Sequence, residues 1–177
     1  MIDEKRVKEA ERNFYRYLKD GLIKREKNET ALSMYLKNSN LSLDVAEKLM
    51  KDNELNPYLW VVVCSYYSMF YIANAILLNL GYRTGEEIVH KVTSDALIVL
   101  VLDKLRGGLL EEYEKIRDDA LEIASARAEE IIKSYDYERG KRSQFQYGMS
   151  EAIKKQKAQT SLARAKEFVF EMRKLLK

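Results

Sequence analysis

From Leu55 to Tyr82 the chain runs through 28 residues without one charged side chain. A run of that length has two physical destinations, the hydrocarbon of a bilayer or the centre of a protein core. Ser65, Tyr66, Tyr67, Ser68, Asn74 and Asn79 decide between them, because a lone span has nothing in lipid to satisfy so many polar groups. The segment therefore reads as the central helix of a soluble bundle, not as a membrane anchor. Asn56 and Pro57 are expected as its N-cap and first residue, and Gly81 as its left-handed C-terminal cap.

The segments around it carry helical periodicity. Val7, Ala10, Phe14, Leu18 and Leu22 recur at spacings of three and four and predict a first helix from Asp3 to about Glu26. Ala31, Tyr35, Leu43, Ala46 and Leu49 continue the pattern to Asp52, as one helix or as two broken at Asn38-Ser39-Asn40. Glu86 to about Leu105 reads as a buried helix through the unbroken apolar run from Ala96 to Leu102, since no partner strand is in view, and Gly107-Gly108 ends it. Tyr113, Ile116, Ala120 and Ile123 stripe a surface helix from about Leu109 to Ser134, and Ala158, Leu162, Ala165, Val169 and Met172 stripe a last one from about Met149 to Leu176. With one Pro and seven Gly in 177 residues, the chain lacks the turn residues of a loop-rich β fold. The expectation is a single all-α domain, an up-and-down bundle of five to six helices. One cysteine, Cys64, allows no internal disulfide, and no leader-like apolar run opens the chain, so a reducing, cytoplasmic compartment is expected.

Charge is unevenly spread. Twelve Lys or Arg stand against five acids in residues 131–177, and six against twelve in residues 86–130. A basic last quarter can follow a phosphate backbone or can simply be a solvated helix face. Metal chemistry is not expected: one Cys with one His makes no zinc site, and neighbouring acids such as Asp118 and Asp119 diverge on a helix. No cofactor motif is visible, the glycines being scattered.

Two polar clusters interrupt the helical patterns. Tyr82 to Lys91 contains Arg83 and the only histidine, His90, which is either a core histidine with a bonded ring or a proton-transfer group. Tyr135 to Gly148 interleaves aromatic and basic residues, among them Arg139, Lys141, Arg142, Gln146 and Tyr147. That cluster can stack a base and hold a phosphate, or can be a hinge whose tyrosines pack on neighbouring helices.

The run Ser65-Tyr66-Tyr67-Ser68-Met69-Phe70-Tyr71-Ile72-Ala73-Asn74 resembles the tyrosine-rich central helix of HEPN domains, the helical nucleotide-binding and ribonuclease superfamily. The turn with His90, the Arg142 to Tyr147 segment and the closing Ala165 to Val169 helix follow in the order seen in some prokaryotic members. The resemblance spans about residues 30 to 176. It implies a HEPN-like bundle over residues 29–177, preceded by an additional helix in residues 1–28. It also implies a homodimer that binds RNA or nucleotide phosphate, in many members a metal-independent endoribonuclease of toxin type beside a minimal nucleotidyltransferase antitoxin. A non-catalytic dimeric module that docks such a nucleotidyltransferase is the other reading.

The family signature is an Arg, a polar residue and a His four to six positions beyond the Arg. Arg83 and His90 have six residues between them; Arg142 and Tyr147 have four, with a tyrosine in the histidine's place. The resemblance thus offers Arg142, Tyr147 and His90 as catalytic candidates and Arg83, Arg139, Lys141 and Gln146 as substrate contacts. Histidine titrates near neutrality, whereas tyrosine, with a pKa of about 10, is a poor base. Arg142 can still hold a phosphate by its fork of donors.

Overall fold

The computed structural model describes residues 2–52, 54–135 and 151–176. The first helix, α1 (Glu4–Lys19), is capped by Asp3, whose carboxylate accepts from the Arg6 amide at 2.7 Å. It stops seven residues before the periodicity suggested. Gly21 takes φ +74°, a left-handed turn that costs glycine little, and the chain leaves the helix as a short strand, β1 (Ile23–Arg25). Leu22, the last residue of the apolar spacing, packs half-buried against the core from the bend before that strand.

Helix α2 (Glu29–Lys51) is one unbroken helix, with the Asn28 side chain accepting from the Ala31 amide at 2.9 Å. Packing overrides the poor propensity of its middle. Ser39 is fully buried and donates its hydroxyl to the Ser68 carbonyl of the next helix at 2.8 Å. With the equally buried Ala46 it forms a small-residue seam against which that helix, α3 (Tyr58–Asn79), packs.

Helix α3 is the centre of the molecule, wrapped by α2 and the later helices. Of its most apolar stretch, 83% is buried inside the bundle. Two of its buried polar side chains are satisfied locally: Ser68 donates to the Ser65 carbonyl at 2.7 Å, and Asn74 donates to the Phe70 carbonyl at 2.9 Å. The Asn74 carbonyl oxygen in turn accepts from Thr84 at 2.7 Å and from Thr93 at 3.4 Å, tying the helix to the two elements that follow. The start differs from expectation. Asn56 has φ +46° and Pro57 takes the cap position without a side-chain bond, while Gly81 does adopt the left-handed cap at φ +86°.

Residues 82–84, expected in a turn, form strand β2 (Tyr82–Thr84), antiparallel to β1 with Ile23 opposite Thr84 and Lys24 opposite Arg83. Helix α4 (Val89–Val101) follows, then a single 3-10 turn at Leu102–Lys104. Helix α5 (Leu109–Tyr135) and helix α6 (Glu151–Arg173) complete the bundle, with a closing 3-10 turn at Lys174–Leu176. Among the described residues there are thus six α-helices and one two-stranded ribbon. Tyr113 of α5 stacks on Phe168 of α6, ring centroids 5.2 Å apart. Ala10, Phe14 and Tyr17 of α1 join the same continuous core as α3 and α6, and α1 lies along α4.

Candidate functional site

Where α1, α4 and α5 meet, three polar chains enter a largely apolar core. Asp95, fully buried on α4, accepts from Asn13 at 2.9 Å and from the Tyr17 hydroxyl at 3.0 Å, and Arg6 Nη1 approaches its second oxygen to 2.7 Å. Arg6 Nη2 bonds Glu114 of α5 at 2.7 Å, and Ser94 donates to the same Glu114 oxygen at 2.8 Å. One guanidinium therefore holds two carboxylates from two helices. Burial alone would raise the Glu114 carboxyl, but the bonds from Arg6 and Ser94 and the charges of Arg6 and Arg117 hold it below the usual range. Burial, with the Asp95 charge added, pushes the Tyr17 phenol up to about 12.

His90 sits beside this cluster, in the first turn of α4. The turn is entered through Ile88, a β-branched residue at φ +41° and ψ +30°, a conformation that costs energy and that structures tend to keep where a side chain must be aimed. The half-buried His90 ring meets α3: its Nδ1 lies 2.7 Å from the Tyr66 hydroxyl, and its centroid lies 4.8 Å from that of Phe70. Burial first, and then the positive charge of Arg117, push its pKa below the ordinary value of 6.5. The ring is neutral at physiological pH. Tyr66, pushed far above the usual phenol range chiefly by burial, keeps its proton, and in the tautomer whose Nδ1–H donates to the Tyr66 oxygen, Nε2 is left unprotonated for an outside partner.

That outside is an open cleft of about 450 Å³, lined by Arg6, His90, Lys91, Glu114, Arg117 and Asp118 among others. Arg117 is only 15% exposed and bonds Asp118 at 2.9 Å through Nε. The cleft thus offers an uncharged imidazole, an oriented guanidinium and carboxylates that hold the cations in position. Asp118 and Asp119 do diverge, Asp118 to Arg117 and Asp119 to Lys157 of α6 at 2.7 Å.

A family model described as HEPN domain matches residues 32–175. The chain belongs to the HEPN domain family. Neither the curated proteins nor the solved structures contain a match to it. For this HEPN protein, membership carries a general nucleotide- or RNA-related role, and the matched residues include His90 and Arg117 but not α1, which supplies Arg6.

Of the residues singled out from sequence, Arg83 and His90 are described. Arg83, on β2, donates to Glu26 at 2.7 Å, an ion pair with 44% and 30% of its two side chains exposed, of the solvent-screened kind that contributes little to stability. No hydrogen bond or ion pair among the described residues joins it to His90. The cation beside His90 is instead Arg117, which spacing did not single out because it sits within the charged face of α5. Arg139, Lys141, Arg142, Gln146 and Tyr147 lie outside the described residues.

The lowered His90 pKa sets a pH dependence. Folding favours the neutral ring, so its contribution to stability is complete above pH 6.5 and is lost as pH falls through the lower folded value. Urea midpoints measured at pH 7.5 and pH 5 should fall further for the parent than for His90→Gln, which carries no titrating ring.

Proposed function

We propose that this HEPN protein binds RNA at the α1–α4–α5 cleft and cleaves it without a metal, with His90 as the proton-transfer group and Arg117 as the phosphate-facing cation. The observation that carries this reading is the neutral imidazole fixed at 2.7 Å by Tyr66, with a guanidinium beside it and a cleft in front. Metal-independent cleavage needs these parts. A base removes the proton of the ribose 2′-hydroxyl, the 2′ oxygen attacks phosphorus, and the bond to the 5′ oxygen breaks. The proton taken by His90 is returned to the departing 5′ oxygen, leaving a 2′,3′-cyclic phosphate and a 5′-hydroxyl. Arg117 opposes the charge that builds on the phosphoryl oxygens. In this reading the protein acts in the cytosol as the toxin of a pair, with a minimal nucleotidyltransferase as antitoxin.

A second reading has its own support. Met34, Leu41 and Val45 are exposed along one face of α2, at spacings of seven and four. An aliphatic helix face open to solvent fits a protein partner. It favours a dimeric module, with α2 pairing two copies or docking a nucleotidyltransferase, and no chemistry at His90. One experiment separates the two. Incubated with total RNA and excess chelator, the protein is expected to yield fragments ending in cyclic phosphate; intact RNA, together with a dimer in light scattering that Leu41→Glu dissociates, assigns the module instead.

A further inference from the structure

Between Tyr58 and Leu78, every residue of α3 is buried except Trp60, Cys64, Tyr67 and Tyr71, at spacings of four, three and four. The one accessible stripe of the central helix is therefore mainly aromatic, where a solvated stripe would be polar. The rings do not stand alone. His90, Tyr67, Tyr71 and Tyr35 of α2 follow one another with centroids 6.2, 6.0 and 6.4 Å apart, and all four are half-buried. Cations stand at both ends of the row. Arg117 and Lys91 share the cleft with His90, while Arg83 lies beside Tyr35 on a ribbon whose opposing strand carries Lys24 and Arg25.

We infer that this row is a track for single-stranded RNA, in which Tyr67, Tyr71 and Tyr35 stack successive bases of the strand whose phosphate lies at His90. The inference rests on the RNA-directed reading above and gives it a substrate class. A row of flat rings accepts any base, because every base has a π face, and cations at the ends hold the backbone. A duplex keeps its bases stacked on one another and has none to offer. A second copy of the chain is the rival occupant. Its natural seat is the aliphatic face of α2 through Met34, Leu41 and Val45, whereas the α3 stripe is built of phenols with basic ends. The track also assigns a task to Arg83, which is paired with Glu26 and not with His90, as a backbone contact at the far end.

Trp60, the only tryptophan, lies two turns before Tyr67 on the same stripe and is 50% exposed, so its emission reports on what settles there. The test titrates the full chain, in chelator, with an octamer of 2′-O-methyl RNA, which cannot be cleaved, and with the same octamer as a duplex. Single strands are expected to quench Trp60 and bind, and duplexes to do neither. Tyr67→Ala and Tyr71→Ala should each weaken single-strand binding by about 5- to 150-fold, the loss of one stacked base, while Tyr67→Phe and Tyr71→Phe, which keep the ring, bind like the parent. Thermal melts of the Ala variants guard against a folding artefact. Single-strand binding that falls in Arg117→Ala but is unchanged in both Ala variants overturns the track and leaves the cleft reading standing. Equal affinity for duplex and single strand overturns the track as well. Absence of any RNA binding overturns both, and dissociation of a dimer by Tyr67→Ala gives the stripe to a second copy instead.

Discussion

Replacing Asp95 with alanine is expected to cost about 3–5 kcal/mol of stability, read as a lowered urea midpoint. The carboxylate is fully buried and serves three partners from α1: Arg6 at 2.7 Å, Asn13 at 2.9 Å and Tyr17 at 3.0 Å. Its removal leaves the Tyr17 hydroxyl, on a fully buried residue, with no acceptor and Arg6 with Glu114 as its remaining anchor. The penalty arises from the groups left behind more than from the bond lost. Asp95→Asn keeps an acceptor for Tyr17 while removing the charge, so it should cost less, about 1–3 kcal/mol. Because all three partners lie on α1, the alanine variant should also loosen that helix first. Limited proteolysis near Asp20-Gly21 is the measurement, with cleavage in the variant under conditions that leave the parent intact.

That network shows where the sequence stopped being informative. The charge-free run of α3 announced the core because its message is local: every position lacks charge, so any bundle must bury it. Arg6, Asp95 and Glu114 lie in three separate helices, and nothing local marks them as partners; the one hint was Asp95 standing at the head of the apolar run from Ala96 to Leu102. The end of α1 was misjudged because Leu22 sustains the apolar spacing from the bend beyond the helix. Three-residue strands show no alternation to detect, so the ribbon of β1 and β2 was invisible. His90 could be singled out by being the only histidine. Its cationic neighbour could not, since Arg117 is reached through the packing of α4 on α5 and not through spacing from Arg83. Likewise the tyrosines of α3 were conspicuous as a group, but which of them meet solvent depends on α2 and α6 covering the other faces.

His90→Ala should lower chelator-resistant RNA cleavage by about 10²- to 10⁴-fold, the usual contribution of a positioned acid–base group, while RNA binding changes little. The separation follows from its protonation. A neutral imidazole brings no charge to a phosphate, so on the proposed reading the affinity would reside in Arg117, Lys91 and the stacked rings, and the histidine would act on the proton alone. The pH profile carries the same signature. Cleavage requires the basic form, so the rate should rise as pH climbs through the folded His90 pKa, below 6.5, and level off above it. Tyr66→Phe should act in the same direction with smaller effect, because Nδ1 then loses the hydroxyl at 2.7 Å that fixes the ring. Arg142→Ala is the matching trial of the other signature placement, with an expected loss of about 1–3 kcal/mol in RNA binding if that arginine holds a phosphate. Cleavage that survives His90→Ala and fails in Tyr147→Phe would move the chemistry to that second placement and leave His90 as a core histidine bonded to Tyr66.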